Sequence, residues 1–329
     1  MPNETTNLPQ RQIGDATVSS LGLGCMPLTM SYGRGRPQEA SSLIERALEL
    51  GINHFDTADM YGSGANERAL GSALRRRRDE VFLASKVGIR SRAGIPLGVN
   101  GRPDYIRRAI DESLGRLQTD YLDLYYLHRP DPAVPVEDSI GTLAELVISG
   151  KIRQIGVSEF TGDQLKRAHT VHPIGALQTE WSLFSRDIEN DALPVARALD
   201  ISIVAYSPLG RGMLTGAPRA TTRLPLLDIR RLLPRWKRAN LHANLLLVDR
   251  VRDIGKQLHA TPGQVALAWL LAQGSKVVPI PGTTNPVHLE ENIGALDVRL
   301  PESSIQELST LIAHGDRYGA SSTSPSDIE

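Results

Sequence analysis

Eight segment ends recur along this chain, most of them a polar residue or a glycine that closes a short apolar run. They are Gly24, Asp56, Lys86, His128, Ser158, Gln178, Tyr206 and Ile280. Residues 52–56, 81–86, 122–128, 152–158, 176–178, 201–206 and 277–280 read as strands. Their near-continuous β-branched and apolar character suits strands covered on both faces. Amphipathic helical stretches lie between them. Residues 38–50 carry Leu43, Ile44, Ala47 and Leu48 on one face and stop at Gly51; residues 104–117 and 137–149 repeat the pattern. Thr261-Pro262 opens another helix, threonine as N-cap and proline at the first turn. Strand–helix alternation at this rhythm predicts right-handed βα units. Eight of them predict a closed α/β fold, a (β/α)8 TIM barrel, as a single domain over residues 1–329.

Three segments break the rhythm. Residues 10–20 are expected to form an N-terminal β-hairpin around Gly14-Asp15. Residues 209–240 form a long insertion after strand 7, and the polar, Ser-rich tail 315–329 is either a solvated end or a cover near the mouth.

Composition narrows the function. Lys plus Arg number 37 and Asp plus Glu 37, so no net field recruits nucleic acid or an anionic membrane. The basic run Arg75-Arg76-Arg77-Arg78 reads as a solvated helix end. The single cysteine, Cys25, excludes an internal disulfide framework and points to a reducing, cytoplasmic setting. The N-terminus lacks a basic-then-apolar signal pattern, and no apolar run is long enough to span a membrane. The eight histidines show no paired ligand spacing, so no metal is expected.

Four residues carry the chemistry. At consecutive strand ends of a barrel, Asp56, Lys86 and His128 converge on one mouth, and Tyr61 lies five residues past Asp56. A free phenol titrates near roughly 10, and an adjacent ammonium is expected to lower that value. Asp56 holds the lysine charged, and a histidine orients a substrate oxygen. The set suits protonation of an oxygen on which charge develops, as at a carbonyl receiving hydride. Taken alone, each residue has a plainer reading: Asp56 as a loop cap, His128 as a structural histidine, Lys86 as the Schiff-base former of an aldolase.

The motifs go further. Asp56-Thr57-Ala58-Asp59-Met60-Tyr61-Gly62, then Asn66-Glu67 and Leu70-Gly71, resembles the aldo-keto reductase signature. The segments 122–128, Gly156-Val157-Ser158, 205–212, Pro279-Ile280-Pro281-Gly282 and Leu289-Glu290-Glu291-Asn292 resemble that family in order, from about residue 10 to 314. The resemblance implies a metal-free barrel reducing a small-molecule aldehyde or ketone, with NADP(H) favoured and NAD(H) possible. In that scheme Tyr61 is the general acid, Lys86 and Asp56 tune it, and His128 orients the carbonyl.

The same resemblance implies the cofactor contacts. Gly24, Cys25 and Met26 would line the first loop, Ser158 and Gln178 would bind the carboxamide, and Tyr206 would stack on the nicotinamide. Ser207, Pro208, Leu209 and Arg211 match the positions that wrap the pyrophosphate. Gly282, Thr283, Thr284, Asn285 and His288, with Glu291 and Asn292, match the adenosine end. Two departures stand out. Glu159 takes a place where asparagine is common, and His288 is the one cationic candidate where relatives often carry lysine or arginine. Met26, Pro27, Leu28 and Trp236 are expected to wall an apolar substrate pocket. An alternative within the resemblance is a redox-sensing regulatory subunit like the potassium-channel β subunits.

Overall fold

The computed structural model describes residues 8–29, 40–92, 95–217, 224 and 228–318. In chain order the strands are β1 (Gln10–Ile13), β2 (Ala16–Ser19), β3 (Leu23–Gly24), β4 (His54–Asp56), β5 (Phe82–Val87) and β6 (Ile89–Arg92). They continue as β7 (Ile95–Val99), β8 (Leu122–Leu127), β9 (Ile152–Ser158), β10 (Ile174–Glu180), β11 (Ser202–Tyr206) and β12 (Val277–Pro279). The helices are α1 (Ala40–Glu49), α2 (Ala65–Leu74), α3 (Pro103–Leu117), α4 (Val136–Ile148) and α5 (Gly162–Val171). They are followed by α6 (Ala192–Ala198), α7 (Arg238–Gln257), α8 (Pro262–Leu271), α9 (Pro286–Ile293) and α10 (Glu302–Ser309).

Eight strands form one parallel sheet in the order β3-β4-β5-β8-β9-β10-β11-β12. Its two outer strands meet. Gly22 N donates to Pro279 O at 3.0 Å and Gly24 N to Pro281 O at 3.3 Å. A side chain at Gly24 would bring its Cβ to 2.7 Å of Ile280 O, so only glycine permits that approach. The fold is therefore the expected (β/α)8 barrel.

The hairpin expected around Gly14-Asp15 is β1–β2, with Ile13 opposite Ala16. Gly14, at φ +54°, supplies the left-handed backbone that a two-residue turn needs. Ile13 and Val18 pack with Phe82, Leu124 and Val204 and plug the barrel at the N-terminal ends of its strands. A second hairpin, β6–β7, sits between β5 and α3, where no strand is expected from the sequence.

Helix ends follow their chemistry. Thr261 accepts from Gln264 N and the Gln264 side chain from Thr261 N, a reciprocal cap with Pro262 in the first turn of α8. Thr161 and Gln164 repeat the device at α5. After β11 the insertion over 209–240 is described in part, as the 3-10 turns Gly210–Thr215, Ile229–Leu232 and Pro234–Trp236, followed by the start of α7. Of the tail over 315–329, residues up to 318 are described; the rest lies outside the described residues. Among the described residues no helix is long and apolar enough to cross a membrane.

Candidate active site

Parity along the strands decides what enters the barrel. Phe82 and Ala84 on β5, Leu124 and Tyr126 on β8, Ala176 on β10 and Val204 on β11 form the inner cluster. Leu83, Tyr125, Leu177 and Ile203 belong to the layer beneath the helices. Side chains alternate, so Lys86, Gln178 and Tyr206 continue the inner rows, and His128 extends that of β8. Asp56 and Ser158 stand two residues past His54 and Gly156 in the same way. At Gly156 a Cβ would meet the Tyr126 ring at 2.3 Å, so the glycine makes room for the aromatic floor of the site.

Lys86 is fully buried. Its Nζ donates to Asp56 Oδ1 at 2.5 Å, to Thr57 O at 2.7 Å and to Tyr61 Oη at 3.5 Å. Gln178 Nε2 donates to the other oxygen, Asp56 Oδ2, at 2.8 Å. The buried charge is thus paired and hydrogen-bonded, the condition under which burial is tolerated. The Tyr61 and His128 rings stand edge to face, 6.1 Å between centroids and 83° between planes.

The loop carrying Tyr61 is fastened from behind by the remaining motif residues. Asn66 Nδ2 donates to Cys25 O and Thr29 Oγ1, both at 2.8 Å, and its Oδ1 accepts from Thr57 Oγ1 at 2.7 Å. Buried Glu67 accepts from Ser85 Oγ and Arg116 Nε, each at 2.6 Å. A Cβ on Gly71 would lie 2.5 Å from Leu117 O, so this glycine lets α2 lie directly on the end of α3.

Electrostatics partly reverses the expectation for the phenol. Burial raises Tyr61 above its ordinary value; Lys86 lowers it and Asp56 raises it again, and the net direction is upward. Sequence reasoning saw the ammonium but had no measure of desolvation. Burial opposes the charge of Lys86, yet Asp56 and then Tyr61 raise it, so it remains an ammonium. Burial, then Arg129 and Lys86, hold His128 well below the usual histidine range and keep it neutral at pH 7. Its Nδ1 is buried without a partner among the described residues. Burial, then Asp56, pushes the Cys25 thiol far up, so it is no nucleophile.

A cavity of about 710 Å³ opens from this cage. Its walls run from buried Asp56 and His128 past Ser158, Gln178 and Tyr206 to Thr283, Glu291, Asn292 and exposed His288. Gly24, Met26, Pro27, Tyr61, Ser207, Pro208, Leu209, Arg211 and Gly282 also line it. Six expected residues do not. Lys86 lies behind Tyr61. Asn285 caps α9, accepting from Val287 N at 3.0 Å, and Thr284 beside it is also off the wall. Cys25, Leu28 and Trp236 are buried in the hydrophobic core, because packing claims large apolar groups before a cavity wall does. The apolar pocket expected from Met26, Pro27, Leu28 and Trp236 thus reduces to its first two members, joined by Met60, Ile89 and Pro96.

The chain after β11 is shaped for an anion. Ser207, Gly210, Arg211 and Gly212 all take left-handed backbone, at φ +49°, +55°, +56° and +94°. For Ser207 and Arg211 this costs about 1–3 kcal/mol each, a strain that persists where surrounding structure imposes it. Consecutive amides in such conformations form concave anion cradles. Ser207, Arg211 and Gly212, with Gly263 at the start of α8, line the cavity, so the chain fits a dinucleotide's phosphates. Among the described residues no group of three His, Cys, Asp or Glu could hold a metal.

Sequence reasoning missed Arg129 and Tyr318. Arg129 lines the cavity next to His128, its Nη1 donating to His128 O at 2.7 Å and Ser158 Oγ at 3.0 Å. Tyr318, in the tail, places its hydroxyl 2.9 Å from that of Tyr206. Glu159, at φ +57°, accepts from Glu180 N at 2.8 Å, Arg317 Nη2 at 3.0 Å and Thr179 Oγ1 at 3.1 Å. Its carboxylate anchors the tail.

The model of the aldo/keto reductase family matches residues 20–313. The chain is 44% identical over 304 residues to a Glycine max protein named probable aldo-keto reductase 1, covering 92% of this chain and 88% of the relative. It is 42% identical over 320 residues to the Schizosaccharomyces pombe aldo-keto reductase yakc, named for NADP(+), covering 95% and 94%. Among solved structures, a glycerol dehydrogenase from Gluconobacter oxydans superposes with a TM-score of 0.82 at 29% identity, covering 94% of each chain.

Proposed function

The chain belongs to the aldo/keto reductase family, and on that footing we propose that it is an NADP-dependent oxidoreductase reducing small aldehydes or ketones to alcohols. The observation that carries this reading is the Lys86 ammonium, bonded to Asp56 and Thr57 and reaching Tyr61 Oη beside His128. The NADP(+) in the yakc name favours NADP(H), and the left-handed Ser207, Gly210, Arg211 and Gly212 suit the pyrophosphate of either dinucleotide. The lone, buried Cys25 favours a reducing, cytoplasmic setting.

A dinucleotide held in the cavity would supply the hydride. The chain supplies the rest. Neutral His128 donates one N–H to the substrate oxygen and fixes its direction. Tyr61, raised by burial, is fully protonated at neutral pH and so occupies the form an acid needs. As charge builds on the oxygen, the proton leaves Tyr61, and the phenolate left behind lies against the Lys86 ammonium. Asp56 keeps that ammonium in place, and its second oxygen is held by Gln178. General acid catalysis of this kind is worth about 10²–10⁴ in rate. Ser158, Gln178 and Tyr206 are the residues that would hold the nicotinamide end; Ser207 to Arg211 would hold the phosphates.

The test is NADPH oxidation with a panel of small aldehydes and ketones. Repeated turnovers that stay level through neutral pH and decline only in alkali are expected. Cofactor binding without turnover on any carbonyl would remove the reading.

A further inference from the structure

We propose that Arg129 is an anion anchor for the substrate, so that the favoured substrates are oxo acids whose carboxylate lies beside the reacting carbonyl. This rests on the carbonyl-reductase reading above. Both hydrogen bonds of Arg129 come from Nη1. Among the described residues its Nε and Nη2 meet no protein acceptor, and no carboxylate lies within ion-pairing distance of it. Yet the side chain lines the cavity next to His128.

The other charges facing this end are held in direct ion pairs. Lys86 is paired with Asp56. Glu159 is taken by Arg317, and Glu180 by Arg211 at 3.1 Å and Arg235 at 3.7 Å. Among the described residues Arg129 has no carboxylate in direct contact, although Glu159 feels its charge at longer range. A largely buried guanidinium with a free edge is costly unless an anion meets it. Its planar Nε–Nη2 fork fits a carboxylate through two parallel bonds. A single guanidinium, its field already partly met by Glu159, suits a monoanion better than a phosphate dianion. Sequence adjacency to His128 puts the anion close to the carbonyl, and Tyr318, its hydroxyl 2.9 Å from that of Tyr206, also lines the cavity. In the reaction the carbonyl carbon gains the hydride, the π pair passes to oxygen, and Tyr61 supplies the proton. A 2-oxo acid becomes a 2-hydroxy acid while the dinucleotide is oxidised.

The experiment compares phenylglyoxylate with its methyl ester, the same ketone with and without the charge, plus benzaldehyde as a neutral aldehyde. For R129Q we expect KM for phenylglyoxylate to rise at least about thirtyfold, as breaking a buried charge pair does. The ratio of acid to ester kcat/KM should fall at least about tenfold, whatever loss R129Q brings to both substrates through Ser158. Calorimetry with benzoate should show binding to the wild type, weakened in R129K and lost in R129Q, with the melting temperature reporting that each variant is folded. Equal losses on acid and ester overturn the proposal and make Arg129 a prop for Ser158. So does a wild type that reduces benzaldehyde but ignores the acid. If no carbonyl is reduced while NADPH binds, the underlying reading falls as well.

Discussion

The two ends of the cavity are built differently. At the inner end, Asp56, Lys86, Tyr61 and Gln178 are wired by bonds of 2.5 to 3.5 Å on three barrel strands and one loop behind them. At the outer end, His288 is exposed on a short helix and forms no ion pair among the described residues. Chemistry demands fixed geometry where a proton moves, whereas a phosphate can be met by several donors at a solvated rim. Substitutions should therefore have large effects inside and small ones outside.

Tyr61→Phe tests the inner end most severely. Turnover should fall at least about a hundredfold while NADPH affinity, read by fluorescence titration, survives. Full activity would break the contrast. Lys86→Met comes next. It leaves Asp56 buried without its cation, and losing one partner of a buried pair costs about 3–5 kcal/mol. Denaturant unfolding should show a loss of that order; an unchanged midpoint would mean the cage carries little energy. Gly156→Ala probes the floor. Its Cβ would sit 2.3 Å from the Tyr126 ring, and overpacking costs about 1–3 kcal/mol. His288→Ala should shift the ratio of NADPH to NADH affinity by no more than about fivefold, the scale of an exposed charge contact. A hundredfold shift would show that the rim is as specialised as the cage.

A pH effect separates tail from cage. Burial raises Glu159, but Arg129, then Arg317 and hydrogen bonds, carry it below its usual value. A carboxyl lower in the folded than in the unfolded state stabilises fully above the unfolded value, near roughly 4.3, and this is lost as pH falls. Glu159→Gln should therefore flatten the acid side of the stability curve.

The same contrast explains what the sequence reveals. The ends of β4, β5 and β8 are legible because each apolar run stops on a polar residue whose parity points inward. Asn66, Glu67 and Gly71 are recognisable as motif residues, but only the coordinates show that they brace the loop behind Tyr61. The β6–β7 hairpin escapes notice because arginines, glycine and proline interrupt its apolar pattern. Arg129 closes no apolar run and so gives no signal, and Tyr318 lies in a tail that reads equally as a solvated end or a cover near the mouth; neither betrays the specific long-range contacts that bring it to the cavity. Trp236 and Leu28 show the opposite error, since hydrophobicity alone cannot separate a pocket wall from core. The phenol's direction was hidden too, because burial is a property of the whole fold.

The most direct measurement uses NADPH deuterated at the transferring position of nicotinamide C4, with a neutral aldehyde, followed by proton NMR of the product. The account predicts deuterium on the new carbinol carbon, one atom per dinucleotide oxidised, in the wild type, and a rate at least about a hundredfold lower in Tyr61→Phe. Alcohol without deuterium at that carbon, or a Tyr61→Phe variant that transfers it at the wild-type rate, would contradict it.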